Sequence, residues 1–93
     1  MSALTEAEID ERLAGVREWS RSGPEIVREL SFPDFAAAIG FVNRVAALAE
    51  AANHHPDILV HGWNKVRLTL CTHSQSALTE ADFRLAGEID GLL

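Results

Sequence analysis

The chain has 93 residues, of which 47% are hydrophobic, and a formal net charge of −6 at pH 7. This length predicts one domain over residues 1–93, and the apolar fraction argues against disorder. The negative charge argues against direct binding to nucleic acid or to anionic membranes, since both favour basic surfaces. The start of the chain lacks the pattern of a secretory signal, and a single cysteine permits no intrachain disulfide. We therefore expect a soluble, cytoplasmic protein.

The first third of the chain predicts a helix followed by a β-hairpin. Thr5 and Glu8 have the spacing of a capping box, and apolar residues then recur at helical intervals. Residues 17–20 and 25–32 are predicted strands, and the turn-rich segment 21–24 joins them.

A long helix is predicted from Pro33 and Asp34 to about His54, where Pro56 stops it. Two apolar stripes run along it: Phe35, Ile39, Val42, Val45 and Ala49 form the first, and Phe41, Leu48 and Ala52 form the second. One stripe suffices to cover a sheet. The second indicates a further neighbour, which is either another helix of this chain or another subunit.

The second half of the chain predicts a second hairpin and a last helix. Residues 58–61 and 65–71 are the predicted strands, and the second alternates cleanly between apolar and polar side chains. Thr79 is the predicted cap of the last helix, with Asp82 three positions beyond it. The order α-β-β-α-β-β-α predicts an α+β fold, with a four-stranded antiparallel sheet and three helices packed on one face.

Three histidines near the ends of these elements are candidate catalytic residues. His54 and His55 lie where the long helix is predicted to end, and His73 follows the fourth predicted strand. Histidine exchanges protons near neutral pH, and loops at the end of a rigid scaffold often carry functional residues. Taken alone, however, each is better explained as a helix cap or a solvated loop residue.

The histidines belong to a longer pattern, made of Glu50, His54, His55, Pro56, Trp63, His73 and Asp82. In order and spacing this pattern resembles the pterin-4a-carbinolamine dehydratases, and the similarity extends over residues 13–89. The resemblance implies the same fold. It also implies dehydration of 4a-hydroxytetrahydrobiopterin to quinonoid dihydrobiopterin, a step of tetrahydrobiopterin recycling that uses no metal or organic cofactor.

The resemblance also implies roles for individual residues. His54, His55 and His73 are the expected catalytic residues, with His54 and His73 as first choices for the proton transfers and the acid and base not assigned between them. The expected substrate contacts come from Asn53, His54, His55, Cys71, Thr72, His73 and Ser74, with Glu50 and Trp63 as further candidates.

Three positions depart from the animal members of that family. Asn53 stands where they carry Asp, and Ser74 stands where they carry Glu. Ile58 replaces a Trp, and the segment after it is one residue longer. The last change affects the outer wall of the expected pocket, and with it the preference for the substrate side chain, and the first two each remove a possible charge. None of the three removes a catalytic candidate.

The other marked residues support weaker predictions. Glu50 is placed to pair with His54 at i, i+4, although a solvated helix carboxylate explains it nearly as well. Asp82 is better explained as a helix-start carboxylate than as a reactant. Trp63 is either a wall of the pocket or ordinary edge packing, and His61 is predicted to lie on the surface of its strand.

The sequence is also compatible with two other kinds of protein. Members of the resembled family also act as a dimerisation partner of a transcription factor or as assembly chaperones, which keeps a protein-interaction role for the long helix open. A zinc hydrolase with three histidine ligands is weaker, because neighbouring His54 and His55 would converge poorly on one ion. The open edges of a four-stranded sheet, together with the second stripe, predict a homodimer or homotetramer.

Overall fold

The computed structural model describes residues 2–93. Its elements are α1 (Glu6–Leu13), β1 (Ser20–Ser22), β2 (Glu25–Ser31), α2 (Phe35–Ala52), β3 (Asp57–His61), β4 (Lys65–Leu70) and α3 (Glu80–Asp90). The strands form one antiparallel sheet in the order β1-β2-β4-β3, so β1 and β3 are its edges. The predicted element order and fold class are therefore confirmed.

The central strands explain why one face of the sheet is covered. In the pairing of β2 with β4, Ile26 lies opposite Leu70 and Leu30 lies opposite Val66. Because side chains alternate across a strand, Val66, Leu68 and Leu70 all point to the helical side, where they are fully buried. The other face carries charged side chains, including the ion pair between Arg67 and Glu29.

The first strand of the first hairpin lies further along the chain than predicted, whereas the second strand begins at Glu25 as predicted. Arg17 and Glu18 lie in a turn, and β1 begins at Ser20. Ser22 pairs with Glu25 around a turn of two residues, in which Gly23 has a φ of 59°. A type I′ turn needs positive φ at both central residues, and Pro24 cannot adopt it, so the turn belongs to the type II′ class. This tight turn sets the register of the hairpin.

Helix α1 begins with the predicted capping box. The backbone N–H of Thr5 donates to Glu8 Oε1 at 2.9 Å, and the N–H of Glu8 donates to Thr5 Oγ1 at 3.2 Å. The helix buries Ile9 in the core.

The C-terminal end of α3 is held to the first third of the chain by Asp90. Its Oδ1 accepts from Trp19 Nε1 at 2.8 Å and from Arg28 at 2.5 Å.

Helix α2 buries one stripe and leaves apolar side chains outside it. The buried residues are Ala38, Phe41, Val45 and Ala49, so the core-facing stripe combines members of the two predicted stripes. Phe35 is 55% exposed, and Ile39 and Val42 are half-buried. By length and composition alone α2 also meets the criteria for a membrane span, as apolar core helices do. Ala38, Phe41 and Val45 of its buried stripe pack in the common core with the sheet.

Candidate active site

The end of α2 determines where His54 points. The helix ends at Ala52, two residues earlier than predicted, because Asn53 takes a left-handed conformation with φ 50°. The N–H of Asn53 donates to the carbonyl of Glu50 at 3.2 Å, and the N–H of His54 donates to the carbonyl of Ala49 at 3.1 Å. This is a Schellman motif, in which asparagine is one of the residues that tolerate the left-handed position. The chain turns at Asn53, so His54 does not continue along the face of the helix.

Strand pairing brings the two predicted substrate segments to the same end of the sheet. Asp57, at the start of β3, pairs with Thr69, near the end of β4. The segment that precedes β3 contains His54 and His55, and the segment that follows β4 contains His73. Antiparallel pairing therefore places the three candidate histidines in neighbouring connections.

Trp63 lies elsewhere. It occupies the turn between β3 and β4, at the opposite end of that hairpin from Asp57, and is 62% exposed. Six residues of extended strand span about 20 Å. Within one subunit, the structure therefore does not bring Trp63 to the histidines.

The centre of the site is a contact between His54 and Asp82. Nε2 of His54 lies 2.6 Å from Oδ1 of Asp82, and the Asp82 side chain has no exposed surface. The other carboxylate oxygen accepts from Thr72 Oγ1 at 2.8 Å and from the N–H of Thr79 at 2.9 Å. Oγ1 of Thr72 also lies 2.7 Å from Oγ1 of Thr79. Both oxygens of the buried carboxylate are thus hydrogen-bonded, as a buried charge requires.

Asp82 therefore has two roles, of which one was predicted from the sequence. It lies at the start of α3, as expected, and accepts from the backbone of Thr79. Its contact with His54 was missed, because the path of the chain beyond Asn53 determines that contact. The sign of this contact in the sequence was that Asp82 belongs to the same spacing pattern as His54.

The contact determines which nitrogen of His54 is free. In the neutral ring, one nitrogen donates and the other accepts. A carboxylate next to Nε2 favours the tautomer in which Nε2–H donates to Asp82. Nδ1 then carries the lone pair that can accept a proton from a bound molecule. The His54 side chain is 15% exposed, so its ring lies at the edge of the protein.

His55 has a different partner. Its Nε2 lies 2.5 Å from Oε2 of Glu50, and both side chains are exposed. The helical spacing in the sequence suggested a pair between Glu50 and His54. That pairing is wrong, because the turn at Asn53 directs His54 to Asp82 and brings His55 to Glu50 instead.

The predicted substrate segment after β4 has both buried and exposed residues. Cys71 and Thr72 are buried, whereas His73 and Ser74 are exposed in a turn that the bridge between Thr72 and Ala77 closes. Burial, followed by the charge of Asp82, raises the pKa of the Cys71 thiol. Within residues 2–93 the His73 side chain makes no hydrogen bond, so both of its ring nitrogens are available.

A groove between α2 and α3 adjoins His54. Its volume is about 490 Å³, and His54 forms part of its wall. Apolar residues of α2, including Leu48 and Ala51, line one side, and α3 contributes Glu80 and Arg84 to the other. The α3 residues were not among the predicted site residues, although side chains four positions apart share one helix face.

The histidines are not arranged as a metal centre. Across residues 2–93, no three His, Cys, Asp or Glu side chains are close enough together to hold one ion. The zinc hydrolase alternative therefore has no ligand set in this part of the chain.

The fold and the site define a small α+β protein whose paired histidine and carboxylate side chains can transfer protons. The model of the family described as pterin 4 alpha carbinolamine dehydratase matches residues 2–92. A protein of Chloroflexus aurantiacus, provisionally named a pterin-4-alpha-carbinolamine dehydratase, is 53% identical over 93 residues, which are 100% of this chain and 99% of its own. The chain therefore belongs to this family of hydro-lyases.

Two solved structures are similar to the chain. One is described as a transcriptional coactivator/pterin dehydratase from Brucella melitensis; it has a TM-score of 0.92 and 34% identity, over 98% of both chains. The other is a pterin dehydratase-like protein described as a RuBisCO assembly factor in the alpha-carboxysome; it has a TM-score of 0.65 and 28% identity, over 80% of this chain and 84% of that one.

Proposed function

We propose that the protein dehydrates 4a-hydroxytetrahydrobiopterin to quinonoid dihydrobiopterin and water, by histidine acid–base catalysis, in tetrahydrobiopterin recycling. Membership of the family supports the reaction. The observation that carries the mechanism is the 2.6 Å contact between His54 Nε2 and buried Asp82, which orients an imidazole without consuming its second nitrogen. No metal or organic cofactor is part of the proposed reaction.

The reaction needs two proton transfers. An acid donates a proton to the 4a-hydroxyl, so that the C–O bond breaks with loss of water. A base removes the proton from N5, and the electron pair of the N5–H bond forms the C4a=N5 double bond. No redox partner is required, and the protons balance over one turnover. A positioned acid and base each contribute about 10²- to 10⁴-fold in rate.

Under this proposal, His54 and His73 carry the two transfers. His54 exchanges its proton through Nδ1, because Asp82 holds Nε2. His73 is exposed on the neighbouring connection, with its ring free to reach a ligand. His55, hydrogen-bonded to Glu50, assists from the solvent side. The exposed residues Asn53 and Ser74 provide the remaining substrate contacts.

A stopped-flow assay of a synthetic 4a-hydroxytetrahydropterin tests the proposal. We expect the purified protein to outpace the spontaneous dehydration, and His54→Ala and His73→Ala each to lose about 100-fold in rate. The matched control is His61→Ala, since His61 lies at the far end of β3 from these two residues. A wild-type protein that does not exceed the spontaneous rate contradicts the enzymatic function.

A non-catalytic role in protein interaction is the second candidate. The observation that favours it is the apolar surface of α2 outside the core, where Phe35 is 55% exposed beside half-buried Ile39 and Val42. The two similar structures are described as a coactivator and as an assembly factor. This role would be favoured if the wild-type protein had no dehydratase activity and bound a protein partner that the Phe35→Ser variant did not bind.

The same surface and the sheet edges support self-association. We infer a cytoplasmic homodimer or homotetramer, because β1 and β3 both leave backbone groups unpaired at an edge. Sedimentation of the wild-type protein and of Phe35→Ser measures the mass. A monomer at micromolar concentration contradicts this inference.

A further inference from the structure

The groove between α2 and α3 has a polar wall that the proposed mechanism does not use. Glu80, Arg84 and Glu88 line it at intervals of four residues. Glu80 is already engaged, since the Arg12 guanidinium contacts it with Nε and Nη2 at 2.8–3.0 Å. Within residues 2–93, the Arg84 and Glu88 side chains make no hydrogen bond or ion pair. The groove therefore holds one donor and one acceptor without a hydrogen-bond partner, and the charge of Arg84 acts on Glu80, whose pKa it helps to lower.

The opposite wall is apolar. Leu48, Ala51 and Ala52 of α2 face these polar groups. A cavity of about 490 Å³ with one apolar wall and a few polar groups has the character of a small-molecule site. Its ligand would present carbon to α2 and hydrogen-bonding groups to α3.

The connectivity of the substrate determines which part would enter the groove. The reacting atoms are the 4a-hydroxyl on C4a and the proton on N5, and C6 is bonded directly to N5. A histidine that serves either reacting atom therefore lies next to the C6 substituent. His54 is such a histidine under the proposed function, and it also forms part of the groove wall.

We propose that the groove between α2 and α3 receives the C6 substituent of the pterin, and that Arg84 and Glu88 select a neutral, hydroxylated chain. This inference rests on the proposed dehydratase function. Along the α3 axis, Arg84 and Glu88 lie about 3 Å and 9 Å beyond Asp82. A short chain that leaves the ring beside His54 therefore reaches Arg84 first.

The charges of the wall favour hydroxyl groups over phosphate. A hydroxyl both accepts and donates, so adjacent hydroxyls satisfy the guanidinium of Arg84 and the carboxylate of Glu88 together. A phosphate would accept from Arg84, but it has no proton to donate to Glu88 and would lie about one helical turn from that unpaired carboxylate. Like charges at that distance disfavour binding.

The experiment compares two substrates in three proteins. The 4a-hydroxy adducts of tetrahydrobiopterin, which has a dihydroxypropyl chain, and of 6-methyltetrahydropterin are assayed with wild type, Arg84→Met and Arg44→Met. Arg44 is an exposed arginine of α2 that does not line the groove, so it controls for loss of charge. Circular dichroism confirms that each variant is folded.

We expect wild type and Arg44→Met to prefer the dihydroxypropyl substrate. Arg84→Met should lower kcat/KM for that substrate about tenfold, mainly through KM, and leave the 6-methyl substrate unchanged, because one hydrogen bond to a charged group is lost. An equal effect on the two substrates, or no effect on either, overturns the inference while leaving the dehydratase function intact.

A binding measurement tests the groove even if the protein is not a dehydratase. If the wild type accelerates neither adduct, binding of the oxidised pterins biopterin and 6-methylpterin is measured by their fluorescence. A preference for biopterin that Arg84→Met abolishes and Arg44→Met retains supports the groove as the site of the side chain. Equal binding of the two pterins by the wild type overturns it.

Discussion

His54 and Asp82 form a hydrogen-bonded pair whose carboxylate is wholly buried and whose imidazole reaches the surface, with 2.6 Å between Nε2 and Oδ1. Thr72 and the backbone of Thr79 hold the other carboxylate oxygen. The pair is therefore positioned before any ligand arrives. A fixed imidazole needs little reorganisation when a proton moves, which is how positioned groups accelerate acid–base steps.

The Asp82→Asn variant tests whether the buried carboxylate orients the His54 ring as well as stabilising the fold. The amide keeps the volume of the carboxylate. It either presents an N–H to His54, which favours the wrong histidine tautomer, or turns that N–H toward Thr72 and Thr79 and loses the bonds they donate. We expect a loss of at least tenfold in the dehydration rate and of about 1–3 kcal/mol in the free energy of unfolding. Stopped-flow kinetics and urea denaturation measure these two quantities.

The control for this variant is Asp10→Asn, at an exposed position of α1. It should leave both quantities unchanged. A fully active Asp82→Asn protein would show that the buried carboxylate serves α3 alone.

Thr72 should act through Asp82. Its buried hydroxyl donates to Oδ2 of Asp82 at 2.8 Å, so its side chain faces the carboxylate and not the solvent. Thr72→Val removes that donor, and we expect it to lower the dehydration rate and to destabilise the fold by about 1–2 kcal/mol. Thr72→Ser keeps the hydroxyl and should restore most of the rate.

The ¹⁵N resonances of the His54 ring provide a readout that a purely structural defect would not change. Wild type and Thr72→Ser should show the tautomer with the proton on Nε2. If Thr72→Val has the same ring spectrum and rate as the wild type, Thr72 does not position the pair.

Asn53 tests the turn that directs His54. At φ 50° an alanine is strained by about 1 kcal/mol or more, whereas glycine adopts this conformation freely. Asn53→Ala should therefore be less stable and less active than Asn53→Gly, measured by urea denaturation and stopped-flow kinetics. Equal stability of the two variants would mean that the helix end does not depend on the left-handed residue.

The same turn marks the limit of what could be predicted from the sequence. The capping box at Thr5 and the alternation in β4 depend on residues close together in the chain, and both were predicted correctly. The contact between His54 and Asp82 joins residues 28 positions apart, and it depends on one backbone conformation at Asn53. Helical spacing suggested Glu50 as the partner of His54, which is correct only for a helix that continues through Asn53.

The packing of α2 was only partly predictable for a related reason. An apolar helix shows which side chains avoid water, but not which of them meet the sheet. Phe35 and Phe41 belonged to different predicted stripes; Phe41 is buried against Phe32, with ring centroids 5.0 Å apart, and Phe35 is exposed. The position of a neighbouring layer cannot be derived from helical periodicity alone.

The ion pair between Arg12 and Glu80 should contribute to stability in a pH-dependent way. The hydrogen bond from Arg12 lowers the pKa of the Glu80 carboxyl below its ordinary value of 4.5. The unfolded chain therefore takes up a proton at Glu80 at higher pH than the folded protein does. The stabilisation is present above pH 4.5 and is lost as the pH falls through the folded pKa.

Glu80→Gln should reduce the melting temperature at pH 7 and make little difference at pH 3, because the wild-type carboxyl is then also protonated. Thermal unfolding at a series of pH values measures the difference. Glu88→Gln is the matched control, since Glu88 has no ion pair within residues 2–93. A difference between wild type and Glu80→Gln that does not shrink on acidification would contradict the assignment.

Cys71 should be unreactive in the folded protein. Burial raises the pKa of its thiol, and the negative charge of Asp82 raises it further. Since the thiolate is the nucleophile, we expect iodoacetamide to alkylate Cys71 slowly at pH 7.5 in the native protein and rapidly in 6 M urea, roughly as for a free cysteine. Mass spectrometry over time measures both rates. Asp82→Asn removes the smaller of these two causes, so the folded variant should remain slow; rapid alkylation of it would show that the carboxylate, and not burial, protects the thiol.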